Sequence, residues 1–289
     1  MAYFHLLFHR ISRNLPFAEG DKGAVMKLML KGFLIGAFML IPGVSGGTMA
    51  MIFGIYEKLL SCISSFSSHK KENFLFLVRF MIGAGASFLL LSRPMSILVN
   101  RFPAETSFFA AGAVIGGVPT VWQAAGDIRI SPKSLFFLFL GILSAALFAL
   151  LPPDLIRGEE SGLLRFPIQF LAGILGALAL VLPGISFSSM LCILGVYGFV
   201  LSAVGNCQFL LLLPFGAGVL AGIFFFTRLL EKALKNYPQQ TYLVILGFVM
   251  ASLWDIFRTA SFMSTGLSFV FCLLLSASGF LLARFMTCD

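Results

Sequence analysis

Runs of apolar residues fill most of the chain. They lie near 24–40, 48–63, 74–92, 107–122, 134–151, 165–182, 189–204, 208–226, 241–257 and 267–285, with short polar breaks between them. A bilayer core of about 30 Å is crossed by roughly 20 helical residues, or somewhat fewer when the ends snorkel. The runs predict an all-α polytopic membrane protein of ten segments, five in each half, several of them short for full spans. Composition agrees: of 289 residues, 59% are hydrophobic and 11% charged. A soluble domain of this size could not hide that much apolar surface. The solvent is lipid, and the 34 phenylalanines suit lipid-facing and helix-packing surfaces.

Charge placement orients the segments. Thread the chain through these runs and let each "PG" interruption be a turn. Both termini and the breaks near 64–73, 123–133 and 227–240 then fall on one side. That side receives fifteen of the 20 lysines and arginines, including every lysine. The other receives Arg93, Arg101, Arg157, Arg165 and Arg258. Positive charge marks the cytoplasmic side, so both termini are expected inside. The net charge of +8 is thereby a topology signal, and nucleic acid is not an expected partner. Residues 1–22 read as an amphipathic interfacial segment with no cleavable signal peptide. The five cysteines show no CxxC spacing and read as packing residues, and the three histidines lie in the tail and a loop. No metal site and no cofactor is expected. Asp255 reads as an interfacial acid beside Arg258.

The chain repeats itself. "GFLIGAFMLIPGVSGGTMAMIFGIYE" (32–57) aligns with "GILGALALVLPGISFSSMLCILGVYG" (173–198), with nine of 26 positions identical. The shared residues include Pro42/Pro183, Gly43/Gly184, Ser45/Ser186, Gly54/Gly195 and Tyr56/Tyr197. Farther on, Arg93 meets Arg228 and Pro103 meets Pro238. Chance apolar similarity would not keep Pro, Gly, Ser, Arg and Tyr in step. Five segments per copy is an odd number, so the second copy enters from the opposite side. The expected organisation is repeat 1 at 23–151, an extracytoplasmic connector at 152–164, and an inverted repeat 2 at 165–286. Inverted repeats with paired broken helices are the pattern of alternating-access transporters.

The breaks themselves have chemistry. Proline removes a backbone donor and glycine turns the corner. Unpaired backbone groups are costly in lipid, so the broken ends must face protein or water. Eleven residues separate Lys31 from Pro42; at about 1.5 Å each that is roughly 16 Å, half the membrane. Each copy therefore opens, in this reading, with a re-entrant helical hairpin whose corner is near the midplane. Two full short spans remain open for the second copy. After each corner a new helix starts with free amides, which attract anions when small residues let them approach. Pro42, Gly43, Ser45, Gly46, Gly47 and Thr48 form one half-site. Pro183, Gly184, Ser186, Ser188 and Ser189 form the other. Several converging donors suit a phosphate. Arg93 and Arg228 end matched helices on opposite sides and could capture a phosphate headgroup there. Glu57 is the candidate for a protonatable coupling group, with an interfacial ion pair as its alternative.

These motifs resemble the polyprenyl-phosphate transporter family of bacteria, along about 23–286 of the chain. Matched by position, the family's first motif falls on Pro42, Gly43, Ser45, Gly46, Gly47, Thr48, Gly54, Tyr56 and Glu57. The second falls on Pro183, Gly184, Ser186, Gly195 and Tyr197. Phe187 departs from the glycine-rich pattern and narrows the second half-site. The resemblance implies return of undecaprenyl phosphate, the lipid carrier of envelope precursors, from the outer to the inner leaflet of the cytoplasmic membrane. A lipid monophosphate fits the residue reading, since its head needs a polar route and its tail can stay among membrane lipids. Proton or Na⁺ coupling is compatible with it, and no oligomeric state is signalled. The expectation is a transporter and not an enzyme. The competing readings are an integral-membrane polyprenyl diphosphate phosphatase and a small-anion channel. The first would need an acid, a base and an Arg clamp beside the "PGxS" serines, and none is apparent there.

Overall fold

The computed structural model describes residues 22–66, 68–126, 131–152, 165–206, 208–259 and 266–287, with the side chains at 165, 204, 205, 258, 259 and 266–268 left aside. The N-terminal segment and the connector fall outside the described residues, except for Lys22 and Pro152. The regular structure described is helical throughout. Its elements are α1 (Lys22–Met39), α2 (Gly46–Ile52), α3 (Tyr56–Ser64), α4 (Lys70–Arg101), α5 (Pro103–Ala124), α6 (Pro132–Leu150), α7 (Arg165–Val181), α8 (Phe187–Ile193), α9 (Tyr197–Gly205), a 3₁₀ turn (Phe209–Leu212), α10 (Leu213–Asn236), α11 (Pro238–Thr259) and α12 (Gly266–Thr287). Among the described residues, five stretches are long and apolar enough to cross a membrane: Lys70–Arg101, Pro132–Leu150, Phe209–Asn236, Pro238–Phe257 and Phe269–Thr287. Leu89, Phe139, Leu220 and Leu281 are exposed on four of them. A soluble protein does not tolerate so extensive an apolar surface; a membrane protein turns it to lipid.

Helix ends follow local chemistry. Pro103 and Pro132 open α5 and α6 at the first turn, where a missing N–H costs nothing. Ser131 caps α6 by accepting from the Ser134 amide at 3.2 Å. At two places the helices depart from the expected segments. The runs 48–63 and 189–204 are each split in two, into α2 with α3 and α8 with α9. Ile55 N donates to Ala50 O at 3.0 Å and Gly54 N to Met51 O at 3.1 Å, with Val196 N to Leu191 O and Gly195 N to Cys192 O repeating the pattern. This paired closure ends a helix on a left-handed residue, and Gly54 and Gly195 supply it with φ 70° and 73°. Conversely, α4 runs on through Pro94 to Arg101, where the sequence suggested a break from 93. A spanning helix tolerates one missing donor. The chain turns instead at Phe102, ahead of Pro103.

The helices pair closely. α1 packs on α4, α7 on α10, α5 on α12 and α6 on α11. Glycines sit at each contact: a Cβ on Gly83 would strike the Met29 carbonyl, one on Gly218 the Phe170 carbonyl, one on Gly112 the Ser276 carbonyl, and one on Gly141 the Val244 carbonyl. Lipid offers no hydrophobic drive between apolar helices, so close packing over small residues must hold them. The short α2 is at the centre. Its residues Gly47 to Ile52 are buried, and Met49 and Ile52 have no exposed surface.

Candidate functional site

The two Pro–Gly corners adopt the same backbone. Gly43 has φ 84° and Gly184 φ 90°, a left-handed conformation that side-chain-bearing residues rarely take. Ser45 and Ser186 follow as extended N-cap residues of α2 and α8, with φ −91°, ψ 131° and φ −79°, ψ 129°. Neither serine caps its own helix. The Ser45 hydroxyl is buried and has no hydrogen-bond partner. Ser186 Oγ lies 3.0 Å from Ser188 Oγ. α2 and α8 are seven residues each. So short a helix carries a small dipole, and any pull on an anion comes from its first amides and the neighbouring hydroxyls.

The corners meet across the molecule. The Gly184 amide donates to Thr48 Oγ1 at 2.7 Å. A Cβ on Gly47 would lie 3.3 Å from Pro183 Cα. The Tyr56 hydroxyl, buried, donates to the Val181 carbonyl at 2.6 Å, one residue before the second corner begins. Between the corners opens a partly enclosed cavity of about 340 Å³. Its wall includes Gly46, Gly47, Ser186, Ser188, Tyr56 and Thr227. Four pairs of wall residues are repeat partners: Met39 and Leu180, Val44 and Ile185, Gly46 and Phe187, Gly47 and Ser188. The rest of the wall is apolar, with Ile35, Phe80, Phe88 and Ile223 among it.

The remaining candidates are less central. Pro42 is exposed and Pro183 buried. Ser189 faces a second cavity rather than this one. Arg228 is inside α10, its Nε 3.4 Å from the Ser64 carbonyl and its guanidinium 3.9 Å over the Phe224 ring. Arg93 is exposed on α4. Both arginines thus lie within helices rather than at helix ends, and neither is part of the cavity wall. Glu57 accepts a hydrogen bond from the Tyr242 hydroxyl. Nearby, Ser64 donates to Glu231, which also pairs with Lys235 at 2.7 Å. Sequence reasoning missed Tyr242, Glu231 and Thr227. The Tyr242–Glu57 contact spans 185 residues, and no local pattern announces it. Among the described residues, no three His, Cys, Asp or Glu side chains gather as a metal site would need.

A helical, multi-pass membrane protein, with two broken-helix corners walling one cavity, is the class that fold and site define. Its family is more specific. A model described as "VCA0040-like: Undecaprenyl phosphate translocase-like" matches residues 35–268, and the chain belongs to that family. It is 34% identical over 240 residues to a polyprenyl-phosphate transporter of Staphylococcus aureus, covering 79% of this chain and 85% of the relative. It is 30% identical over 239 residues to a polyprenyl-phosphate transporter of Vibrio cholerae, covering 78% and 75%. No solved structure matches the chain.

Proposed function

We propose that this protein carries polyprenyl phosphate, such as undecaprenyl phosphate, across the bacterial cytoplasmic membrane from the outer to the inner leaflet. The observation that carries the reading is the cavity of about 340 Å³ whose wall takes Val44, Gly46 and Gly47 after the first Pro–Gly corner and Ile185 to Ser188 after the second. Its amides and hydroxyls suit a phosphate head, and its apolar remainder suits the first isoprene units of a tail. The family and the names of both relatives support the same cargo.

The mechanism in this reading is alternating access about an inverted repeat. The helix pairings support it: exchanging the halves turns α1–α4 into α7–α10 and α5–α12 into α11–α6, and all four pairs occur. Each copy opens with a re-entrant hairpin that brings its corner to mid-membrane. Both termini are cytoplasmic, by the charge asymmetry. The cavity extends along α3 to Ile63 and along α10 to Thr227, the cytoplasmic ends in this topology. The conformation is then inward-facing. Such a state breaks the symmetry, as Tyr56 and Tyr197 illustrate: the first is 5% exposed and the second 40%. Arg93 and Arg228 receive the phosphate at opposite surfaces, and Glu57, the coupling candidate of the sequence, is engaged by the Tyr242 hydroxyl. A phosphatase reading lacks its chemistry, because the described wall holds no carboxylate or imidazole to act as acid or base.

Reconstitution tests this. Liposomes containing the protein and fluorescent polyprenyl phosphate, read by a leaflet-selective quencher, should show lipid crossing well above empty liposomes. Ser186→Ala/Ser188→Ala, which removes the two serine hydroxyls of the cavity wall, should slow it about tenfold, the effect of losing one or two charge-assisted hydrogen bonds. Crossing no faster than in empty liposomes would end the proposal. Phosphate release from a polyprenyl diphosphate would favour the phosphatase instead.

A further inference from the structure

The two halves share a fold but are not equally tied to the bundle. α3 packs on α10, yet among the described residues its repeat mate α9 is not packed on α4, the mate of α10. The side chains follow. Leu59, Leu60 and Ile63 of α3 line the first cavity, and Leu60 is 3% exposed. Its mate on α9, Leu201, is 59% exposed. The shorter helices before them differ in the same sense. α2 packs on α5, whereas α8 is not packed on α11. A second cavity, of about 300 Å³, lies there instead, with Ser189, Met190 and Ile193 of α8 and Ala251 and Ser252 of α11 in its wall. The first half is drawn onto its neighbours, and the second half stands off from them.

Polar bonds hold α3 in addition to packing. Helical spacing gives it two faces. Tyr56, Leu59, Leu60 and Ile63 look into the first cavity, while Glu57 and Ser61 line a small cleft with Glu231 and Lys235 of α10 and Tyr242 of α11. The Tyr242 hydroxyl donates to Glu57, and Ser64 donates to Glu231. Arg228 Nε donates to the Ser64 carbonyl at 3.4 Å. All three bonds join the first half to the second. The mirror positions cannot make them. In the register of the repeat, Glu57 and Ser64 have Gly198 and Gly205 as mates, and Tyr242 and Glu231 have Ser107 and Ser96. A glycine has no side chain with which to answer a serine.

We propose that α3 and α9 are the two gate helices of the carrier. In the conformation that faces the other side, α3 leaves α10 and α9 docks on α4, and the bonds of Glu57 and Ser64 are a lock that only the present conformation can make. The inference rests on the alternating-access reading above and adds the moving parts to it. Two halves with one fold can exchange arrangements, and that exchange is how an inverted repeat turns a single site from one membrane face to the other. The exposed apolar face of α9 then has a place to go, the one on α4 that corresponds to the seat of α3 on α10. Because the lock is one-sided, it lowers this conformation relative to its mirror, and the empty carrier rests here.

The test is cross-linking in proteoliposomes, in a cysteine-free background. Ser64→Cys/Glu231→Cys reports α3 on α10, and Gly205→Cys/Ser96→Cys reports the mirror contact of α9 with α4. A short, reducible bifunctional thiol reagent should bridge both pairs. Either bridge should stop the crossing of fluorescent polyprenyl phosphate, and reduction should restore it. In the mirror-pair protein, Tyr242→Phe and Ser64→Ala should each speed bridging about tenfold, as expected when a bond to a carboxylate is lost from the competing state. Tyr237→Phe, exposed just ahead of α11, should leave the rate unchanged. No bridging of the mirror pair, or full lipid crossing with 64 and 231 bridged, would overturn the exchange and leave the transport reading intact. A mirror-pair rate that neither Tyr242→Phe nor Ser64→Ala alters would overturn the lock. Bridging that exchanges as expected in a protein that moves no lipid would remove the transport reading and leave the gate helices.

Discussion

Single residues at the corners do different jobs, and the differences are measurable. Gly54 and Gly184 both have positive φ, at 70° and 90°. A Cβ on Gly54 meets nothing within 4 Å, whereas one on Gly184 would run into the Phe248 backbone. Gly54→Ala should cost only the left-handed strain of about 1–2 kcal/mol. Gly184→Ala should cost clearly more, because the α11 backbone cannot yield as a side chain can. Thermal unfolding in detergent should rank them in that order; equal losses would mean the Phe248 contact is not tight. Thr48→Val tests the bond between the corners. It strands the buried Gly184 amide, at a cost of about 1–3 kcal/mol, while Thr48→Ser should recover most of the loss. At this scale the sequence was informative about residue type. It singled out Gly43, Ser45, Thr48, Gly184 and Ser186, which the structure places at or just after the two corners. It could not show that Thr48 Oγ1 accepts from Gly184 N, because that contact spans 136 residues.

Elements were legible where periodicity and punctuation agreed. The long apolar helices sit close to the expected segments, because helical length in lipid is set by bilayer thickness. Two errors came from punctuation. The run 74–92 stopped short of Pro94, which is carried inside α4, whereas the runs 48–63 and 189–204 passed unbroken through Gly54 and Gly195, which end α2 and α8. The physical reason is context: proline loses one donor, but a glycine in the left-handed region reverses the chain whatever follows. Pairing between elements gives a further expectation. Gly83→Val should push α4 off the Met29 carbonyl of α1 and destabilise the protein by about 1–3 kcal/mol, the usual penalty of overpacking. A control with no such contact, Gly85→Val, should be close to neutral. Matched melting curves for the two would contradict glycine-mediated packing of this pair.

At the scale of the whole molecule, two cavities share Ile185 and Ser186 of the second corner in their walls. If they are the two access routes, labelling should distinguish them. In a cysteine-free background, Ile63→Cys in the first cavity should react with a membrane-impermeant thiol reagent added from the cytoplasmic side. Ala149→Cys in the second should react from the outside. Reaction of both from one side would contradict the proposed topology.

The sequence alone determined that lipid is the solvent, that the chain is helical, that a motif recurs 141 residues on, and which residues break the helices. All of these are local or composition-level properties, written in hydropathy, charge and the stereochemistry of Pro and Gly. Tertiary structure decided which broken ends meet, that Tyr242 holds Glu57, and that the first corner rests on the backbone of Asp255 and Ile256. Those are contacts between segments far apart in the chain. They depend on how closely helices can approach over small residues, and that geometry has no one-dimensional signature.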